Sequence, residues 1–406
     1  EYRLGEELYR DARTVTVRLL DRNAMRWEDD RRAAAFVTAK DPRVLAFAKN
    51  AAGLVRDKGP AAFDENLLYG MGIFKALDLY GLSYVVDPKT PFADYSANSK
   101  AVDYLQFPRQ TLEYRAGDCD DLSILYAALL ESVGIETAFV TVPGHIFVAF
   151  ELDTPAADLA RTFSSVQDLI VREGRAWVPV EVTVRRDGFL RAWAEGARQW
   201  RDASGKSTAG FLPVHEAWKE YEPVGLPGAS ADVSLPPPDR LLAAFLEEAG
   251  RLVDRELGPR AVRLEEEIRS SGGSPSSHNR LGVLYARFGD LDKAEKSFDR
   301  ALAKGDFAPA LTNLGNLHFL RRDYPKAQAL YERAARLAPD NPAVVVNLAR
   351  VYYEQEKFDL ARKNHEKLTR LDPALAARYA YLGSGSTDAR AGAPGLSRGS
   401  VVWRDE

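Results

Sequence analysis

One cysteine and two methionines supply all the sulfur in a chain of 406 residues. A single thiol cannot close an internal disulfide, nor can it furnish the paired cysteine ligands of a structural zinc site. Apolar runs of the roughly 18 residues needed to cross a membrane are missing as well. So is a basic excess: 55 Lys and Arg stand against 59 Asp and Glu, a net charge of −4. With no Lys/Arg tract interleaved with aromatics, this argues against nucleic acid as a partner. What remains is an ordinary globular composition, 46% hydrophobic and 28% charged, at a length that suits two or three domains. The sequence begins at Glu1, so it reads as an excerpt or a processed form in which any signal peptide or anchor would not be visible.

The lone cysteine sits in Tyr114–Leu130, YRAGDCDDLSILYAALL. Leu122, Leu125, Leu129 and Val133 then recur at three- and four-residue steps, the stripe of a core-facing helix, and Gly134 marks its stop. Gly117 and Asp118 are the lead-in turn and cap. They leave Cys119 at the positive end of the helix dipole, where a thiolate is favoured and the thiol pKa is expected to fall. A lone cysteine is ordinarily a small buried hydrophobe. Here Asp118, Asp120 and Asp121 make the turn polar, which points to a cleft, with Asp118 and Asp120 supporting the helix N-terminus.

A nucleophilic thiol needs a base, and only five histidines are available. His278, His318 and His365 fall in a separate repeat region, and His215, in VHEAW, reads as structural. His145 follows a β-like run, 136–142, and Pro143-Gly144, and it heads a second run, 146–150. An antiparallel hairpin packed on the cysteine helix can return the histidine to that helix's N-terminus. A third run, 176–183, puts Glu181 on a strand able to lie beside it and orient the imidazole. Nucleophile, base and orienting acid follow the logic of a catalytic triad.

These three blocks, GDCDDLSILYAALLESVGIETAFV, PGHIFVAF and WVPVEVT, resemble the core of the bacterial transglutaminase-like (papain-like) cysteine hydrolases, over roughly residues 41–221. The resemblance implies Cys119 as nucleophile, His145 as general base and Glu181 as third member. The family more often carries aspartate, as DPT, where this chain has Glu181-Val182-Thr183. It also implies an oxyanion hole pairing the cysteine backbone N–H with a donor from an upstream segment. Tyr84 in GLSYVVDP is one candidate and Gln110 its rival.

Along the rest of the chain, 1–40 reads as a β-containing segment of a truncated upstream domain, with the alternating run TVTVRLL. Helices are expected from Asp41-Pro42 and over 66–80, stopped by Gly81, ahead of the catalytic domain, 41–224. Residues 152–174 read as an excursion with a helix carrying Phe163 and Leu169. Trp193, Trp200 and Trp218 form an aromatic group better suited to core than to a substrate platform. Residues 225–275 read as a linker with a charged helix broken at Gly258-Pro259. Beyond it an internal repeat appears: Leu281-Gly282, Tyr285, Ala294, Phe298 and Ala301 match Leu314-Gly315, His318, Ala327, Tyr331 and Ala334, then Leu348-Ala349, Tyr352, Ala361, His365 and Leu368. Shifts of 33 and 34 residues resemble the tetratricopeptide repeat, here three copies and a capping helix over 276–382, followed by a disordered tail over 383–406.

Asp118, Asp120 and Asp121 imitate the start of a calcium loop, but the fifth and twelfth positions would be Leu122 and Leu129, so no metal or cofactor is expected. The expected fold is α+β, a transglutaminase-like or papain-like core of a helix on an antiparallel sheet, plus a C-terminal all-α solenoid. The expected function is thiol acyl hydrolysis or transfer on protein or peptide substrates, with the repeats recruiting a protein partner through their concave face. A bacterial cell envelope or periplasmic setting fits the resemblance. The rival expectation is a non-catalytic scaffold built on a degenerate version of the same fold.

Overall fold

The computed structural model describes residues 21–86, 102–226, 234–383, 401 and 403–404, together with the backbone of 2–4 and 7–9. Three small pairings frame the front of the molecule: β1 (Tyr2–Leu4) with β2 (Glu7–Tyr9), β3 (Ala24–Met25) with β5 (Asp103–Tyr104), and β4 (Ser83–Tyr84) parallel to β6 (Ala116–Gly117). The run TVTVRLL and residues 87–101 lie outside the described residues. Helices α1 (Pro42–Val55) and α2 (Glu65–Tyr80) begin on aspartate caps, with Asp41 accepting from Arg43 N and Asp64 from Asn66 N. Gly81 ends α2 in the left-handed region at φ 81°, where a β-carbon would be strained.

A short helix, α3 (Pro108–Tyr114), leads through β6 into α4 (Cys119–Glu131). The sequence shows α4 as one apolar stripe, yet every residue from Cys119 to Leu130 is buried. The extra contacts come from α1 and α2 around it: Tyr126 donates its hydroxyl to Gly70 O at 2.9 Å and meets Phe74 edge-on. Against α4 lies a five-stranded antiparallel sheet, β7 (Thr137–Val142), β8 (His145–Leu152), β9 (Ile170–Arg172), β10 (Arg175–Val180) and β11 (Gly210–Pro213), in the order β11-β7-β8-β10-β9.

The sheet is covered on both faces, which explains why β8 reads as a nearly unbroken hydrophobic run. Ile146, Val148 and Phe150 join the α4 side, whereas Phe147 and Ala149 join Trp177 and Ile170 under α5 (Phe189–Ser204). Helix α5 approaches closely because it carries Gly196 at the contact. A β-carbon there would sit 2.8 Å from the Pro179 carbonyl carbon. Trp193 is core, with its indole N–H on Asp168 O at 2.6 Å. The excursion between β8 and β10 forms two 3-10 turns and β9, not one helix. Phe163 and Leu169 are buried from it as single anchors.

After α6 (Val214–Ala217), α7 runs unbroken from Pro238 to Ser271. This corrects the reading of a broken helix in a linker. Pro259 lies on the exposed side, where water can take up the carbonyl its ring leaves unpaired, while Leu252 and Ala261 on either side are buried. The helix is docked by its charged residues: Glu248 accepts from Leu190 N at 2.9 Å, Glu256 from the Ser164 hydroxyl at 2.7 Å, and Arg255 lies 4.2 Å over Trp193.

Three antiparallel helix pairs follow: α8 (Pro275–Arg287) with α9 (Leu291–Leu302), α10 (Ala308–Leu320) with α11 (Tyr324–Leu337), and α12 (Pro342–Glu354) with α13 (Phe358–Leu371). The short α14 (Pro373–Arg378) closes the array. The repeated small residues admit large partners: Gly282 faces the Phe298 ring, and Gly315 faces Tyr331. Residues 384–400, assigned to the tail, lie outside the described ones, but Trp403 is packed on Phe298 and does not belong to a disordered end.

A β-carbon at Gly315 would lie 2.5 Å from Tyr331 Cε1. Gly315→Ala is therefore expected to cost about 1–3 kcal/mol in urea unfolding through overpacking. Gly250→Ala, with nothing within 4 Å, is expected to gain up to about 1 kcal/mol from helix propensity.

Candidate active site

The site is assembled where α4, β8, β10 and β4 converge. Cys119 is the first residue of α4, and Asp118 caps it, accepting from Asp121 N at 3.4 Å. The backbone N–H of Ile146, the residue after His145, donates to the Cys119 sulfur, so the thiol meets the very start of β8. A two-residue Pro143-Gly144 hairpin sets that start. Val142 pairs with His145, and Gly144 takes φ 71° as the turn requires.

Glu181 follows β10 directly, where the chain leaves the sheet as the N-cap of a 3-10 turn. It is 1% exposed. One oxygen accepts from Thr183 N at 3.0 Å and from the Thr183 hydroxyl at 2.6 Å, and the other accepts from Gln199 Nε2 at 3.1 Å and contacts His145 Nε2. The imidazole, stacked on Phe147, is thus held through one nitrogen, which leaves Nδ1 without a hydrogen-bond partner among the described residues. The longer glutamate is accommodated because the carboxylate turns back onto the Thr183 backbone.

Tyr84 enters by strand pairing. β4 registers Tyr84 beside Gly117, two residues before the cysteine, and Val85 N donates to Gly117 O at 3.0 Å. Tyr84 is 46% exposed, and its phenol is pushed up to about 12, by partial desolvation first and then by negative charge around the site, Asp118 and Glu181 included. Gln110 is committed elsewhere: its side-chain oxygen accepts from Phe107 N at 2.9 Å and from Asn23 Nδ2 at 2.7 Å, capping α3.

The electrostatics reverse one expectation. Burial pushes the Cys119 thiol well up, and the charges of Asp120 and Asp118 push it further, against the single opposing Ile146 amide. The helix N-terminus does not deliver a free thiolate, because the acids that make the turn polar are themselves buried. Asp120 rises well above the usual carboxylate range by burial and shares a hydrogen bond with Asp118. Asp121, which accepts from Gln106 N at 2.7 Å, is pushed up to about 8, chiefly by burial. The oxygens of Asp118, Asp120 and Asp121 lie within 4.8 Å of one another, close enough to hold one cation.

Beyond the site, tetratricopeptide repeat families match residues 306–374 and 246–309. The C-terminal region carries tetratricopeptide repeats. The second match begins inside α7, upstream of the repeat boundary read from sequence, so the docked helix belongs partly to the array. The chain is also 27% identical over 149 residues to the TPR repeat-containing thioredoxin TTL4 of Arabidopsis thaliana, covering 37% of this chain and 21% of that protein. It therefore spans about a fifth of that relative's length. No helix among the described residues is long and apolar enough to cross a membrane.

Sequence reasoning missed Thr183, Gln199 and the Ile146 amide. Thr183, two residues after Glu181, was within reach of an Asx-type turn argument. Gln199 comes from the helix behind the sheet and carried no signal. His215 is structural, bonded to Glu131 at 2.8 Å and stacked on Trp218.

The raised Asp121 carries a pH consequence. Below about pH 4 the folded and unfolded states both hold the proton. Between there and about 8 the folded state alone does, so this group's stabilisation is lost as pH rises through that window. Asp121→Asn keeps an acceptor for Gln106 N, and its urea midpoint should fall less between pH 5 and 8 than that of the unaltered chain. Parallel profiles would refute the assignment.

Proposed function

We propose that the protein is a thiol-dependent acyl hydrolase acting on protein or peptide substrates, with the tetratricopeptide repeats recruiting a protein partner. The observation that carries this reading is the buried Glu181 carboxylate, whose one ion-pairing partner among the described residues is the His145 imidazole. A carboxylate placed so stabilises an imidazolium and fixes which ring nitrogen is free, which is what a general base for a neighbouring thiol requires.

In this reading the free nitrogen of His145 takes the Cys119 proton as the sulfur attacks a carboxamide or peptide carbonyl. The developing oxyanion is met by the Cys119 backbone N–H, which has no intrahelical acceptor at the first position of a helix, and by the Tyr84 hydroxyl. The imidazolium then returns the proton to the leaving amine as the C–N bond breaks. Water resolves the thioester and restores the thiol. Because burial and two acids hold the thiol protonated, the proton must move during the attack, and the base matters more than it would for a preformed thiolate.

The same burial supports a second reading, a non-catalytic scaffold whose cysteine, 6% exposed, is a packing residue. Turnover of a peptide carboxamide library, with and without an added amine, separates the two. The enzyme reading expects product from the unaltered chain and none from Cys119→Ser. It expects a loss of roughly 10²–10⁴-fold in kcat for His145→Ala, the range of general-base contributions. Glu181→Gln should lose turnover with its unfolding curve little changed, and full activity in that variant would remove Glu181 from the mechanism. No turnover of any library member by a folded chain favours the scaffold.

A further inference from the structure

Asparagine recurs in the repeats at Asn279, Asn313 and Asn347, one on each of α8, α10 and α12, spaced by 34 residues and each at most 1% exposed. Burying a carboxamide is costly unless its groups are paired, so a row of three calls for partners. Two rungs find them in a segment distant in sequence. Arg404 O accepts from Asn279 Nδ2 at 2.9 Å and from Asn313 Nδ2 at 2.7 Å, and Arg404 N donates to Asn313 Oδ1 at 3.0 Å. Both main-chain groups of one residue are thus gripped, and the Arg404 side chain plays no part in that grip. The neighbouring Trp403 lies on Phe298, rings 6.4 Å apart and 16° from parallel, and Gly282 leaves the Phe298 ring its space on the helix.

The third rung is incomplete. Asn347 Nδ2 donates to Asn316 Oδ1 at 2.9 Å, but its own Oδ1 is buried without a hydrogen-bond partner. A buried acceptor left open at the next step of the row is a place for one more main-chain N–H. Val401 and Trp403 also wall a cleft of about 650 Å³ between the repeats and Ala61, Ala62, Arg161 and Thr162 of the catalytic domain. What occupies the row therefore also shapes the junction of the two halves.

We propose that the Asn279–Asn313–Asn347 row is a groove for an extended peptide, read by its main chain plus one aromatic side chain, and that this chain's own C-terminal segment occupies it through Trp403 and Arg404. A partner peptide binds only by displacing that segment. This rests on the reading of the repeats as the recruiting array and goes beyond it by naming the surface, the mode of recognition and a built-in competitor. A tethered competitor acts at an effective concentration of order millimolar, enough to mask a groove of micromolar intrinsic affinity.

The test uses the full chain and a fluorescein-labelled peptide of its residues 399–406, GSVVWRDE, followed by fluorescence anisotropy. Trp403→Ala and Arg404→Pro, each placed in the full chain outside the helix pairs, vacate the groove without touching its walls, and circular dichroism verifies their helix content. Both variants are expected to bind the labelled peptide at least tenfold more tightly than the unaltered chain. Against either variant, a peptide with Arg404→Ala should bind like the parent, and one with Arg404→Pro, lacking the N–H that Asn313 accepts, should not. Equal affinity of all three chains overturns the occlusion and leaves the repeats a peptide receptor. Absence of saturable binding to either variant overturns the groove alone, since recruitment of a partner by another surface of the repeats does not depend on this peptide. The assay needs no thiol, so neither outcome bears on the Cys119 chemistry.

Discussion

The structure depends on the complete burial of the α4 helix. A helix with water on no side must satisfy every polar group it carries from its surroundings, and α4 begins with Cys119, Asp120 and Asp121. The sheet contributes the Ile146 amide to the sulfur, the turn before α3 contributes the Gln106 amide to Asp121, and Asp118 shares a hydrogen bond with Asp120. Each contact fixes one more element around the helix N-terminus. The site is consequently a product of the core, and its electrostatics follow from desolvation more than from the helix dipole.

That balance explains how one part of the sequence could be read well and another misread. The candidate site residues could be placed on their elements because each stands at a local signal: a cap before Cys119, a two-residue turn before His145, a strand end at Glu181. The helices at Pro42 and Glu65 were equally plain, marked by aspartate caps and a left-handed glycine stop. The direction of the thiol shift was not legible. Periodicity showed one apolar stripe on α4 and therefore a solvated opposite face, when α1 and α2 cover that face as well. The polar turn that seemed to announce a cleft is a set of buried acids.

The second half shows a related limit. Glycine and alanine at fixed spacing revealed the helix pairs, since only small residues admit Phe298 and Tyr331. The three asparagines at the same 34-residue spacing went unremarked because polar residues inside helices usually signify solvent. Composition also misjudged the two connecting stretches. The charged α7 was expected to be broken at an internal proline, yet it is continuous, because Leu252 and Ala261 bury on either side of that residue and Glu248 and Glu256 find buried amide and hydroxyl donors. A polar, glycine-bearing tail is a disordered tail only until a groove offers partners for its main chain. In both cases a long-range partner decided the outcome, and single-sequence reasoning does not see partners.

The two halves meet through α7 and through the cleft walled by Trp403, so the candidate site at Cys119 and the repeats belong to one folded unit. The central claim is that His145 acts as base for the one thiol in the chain. The most direct measurement is the rate of Cys119 alkylation by iodoacetamide across pH 5 to 10, in the unaltered chain and in His145→Ala. With a single cysteine the label has one destination. The account predicts alkylation of the unaltered chain at pH values well below those an unassisted thiol needs, and its loss in the variant, where reaction waits for the alkaline range to which burial pushes the thiol. Superimposable profiles would contradict it and leave the cysteine a packing residue beside a tetratricopeptide array.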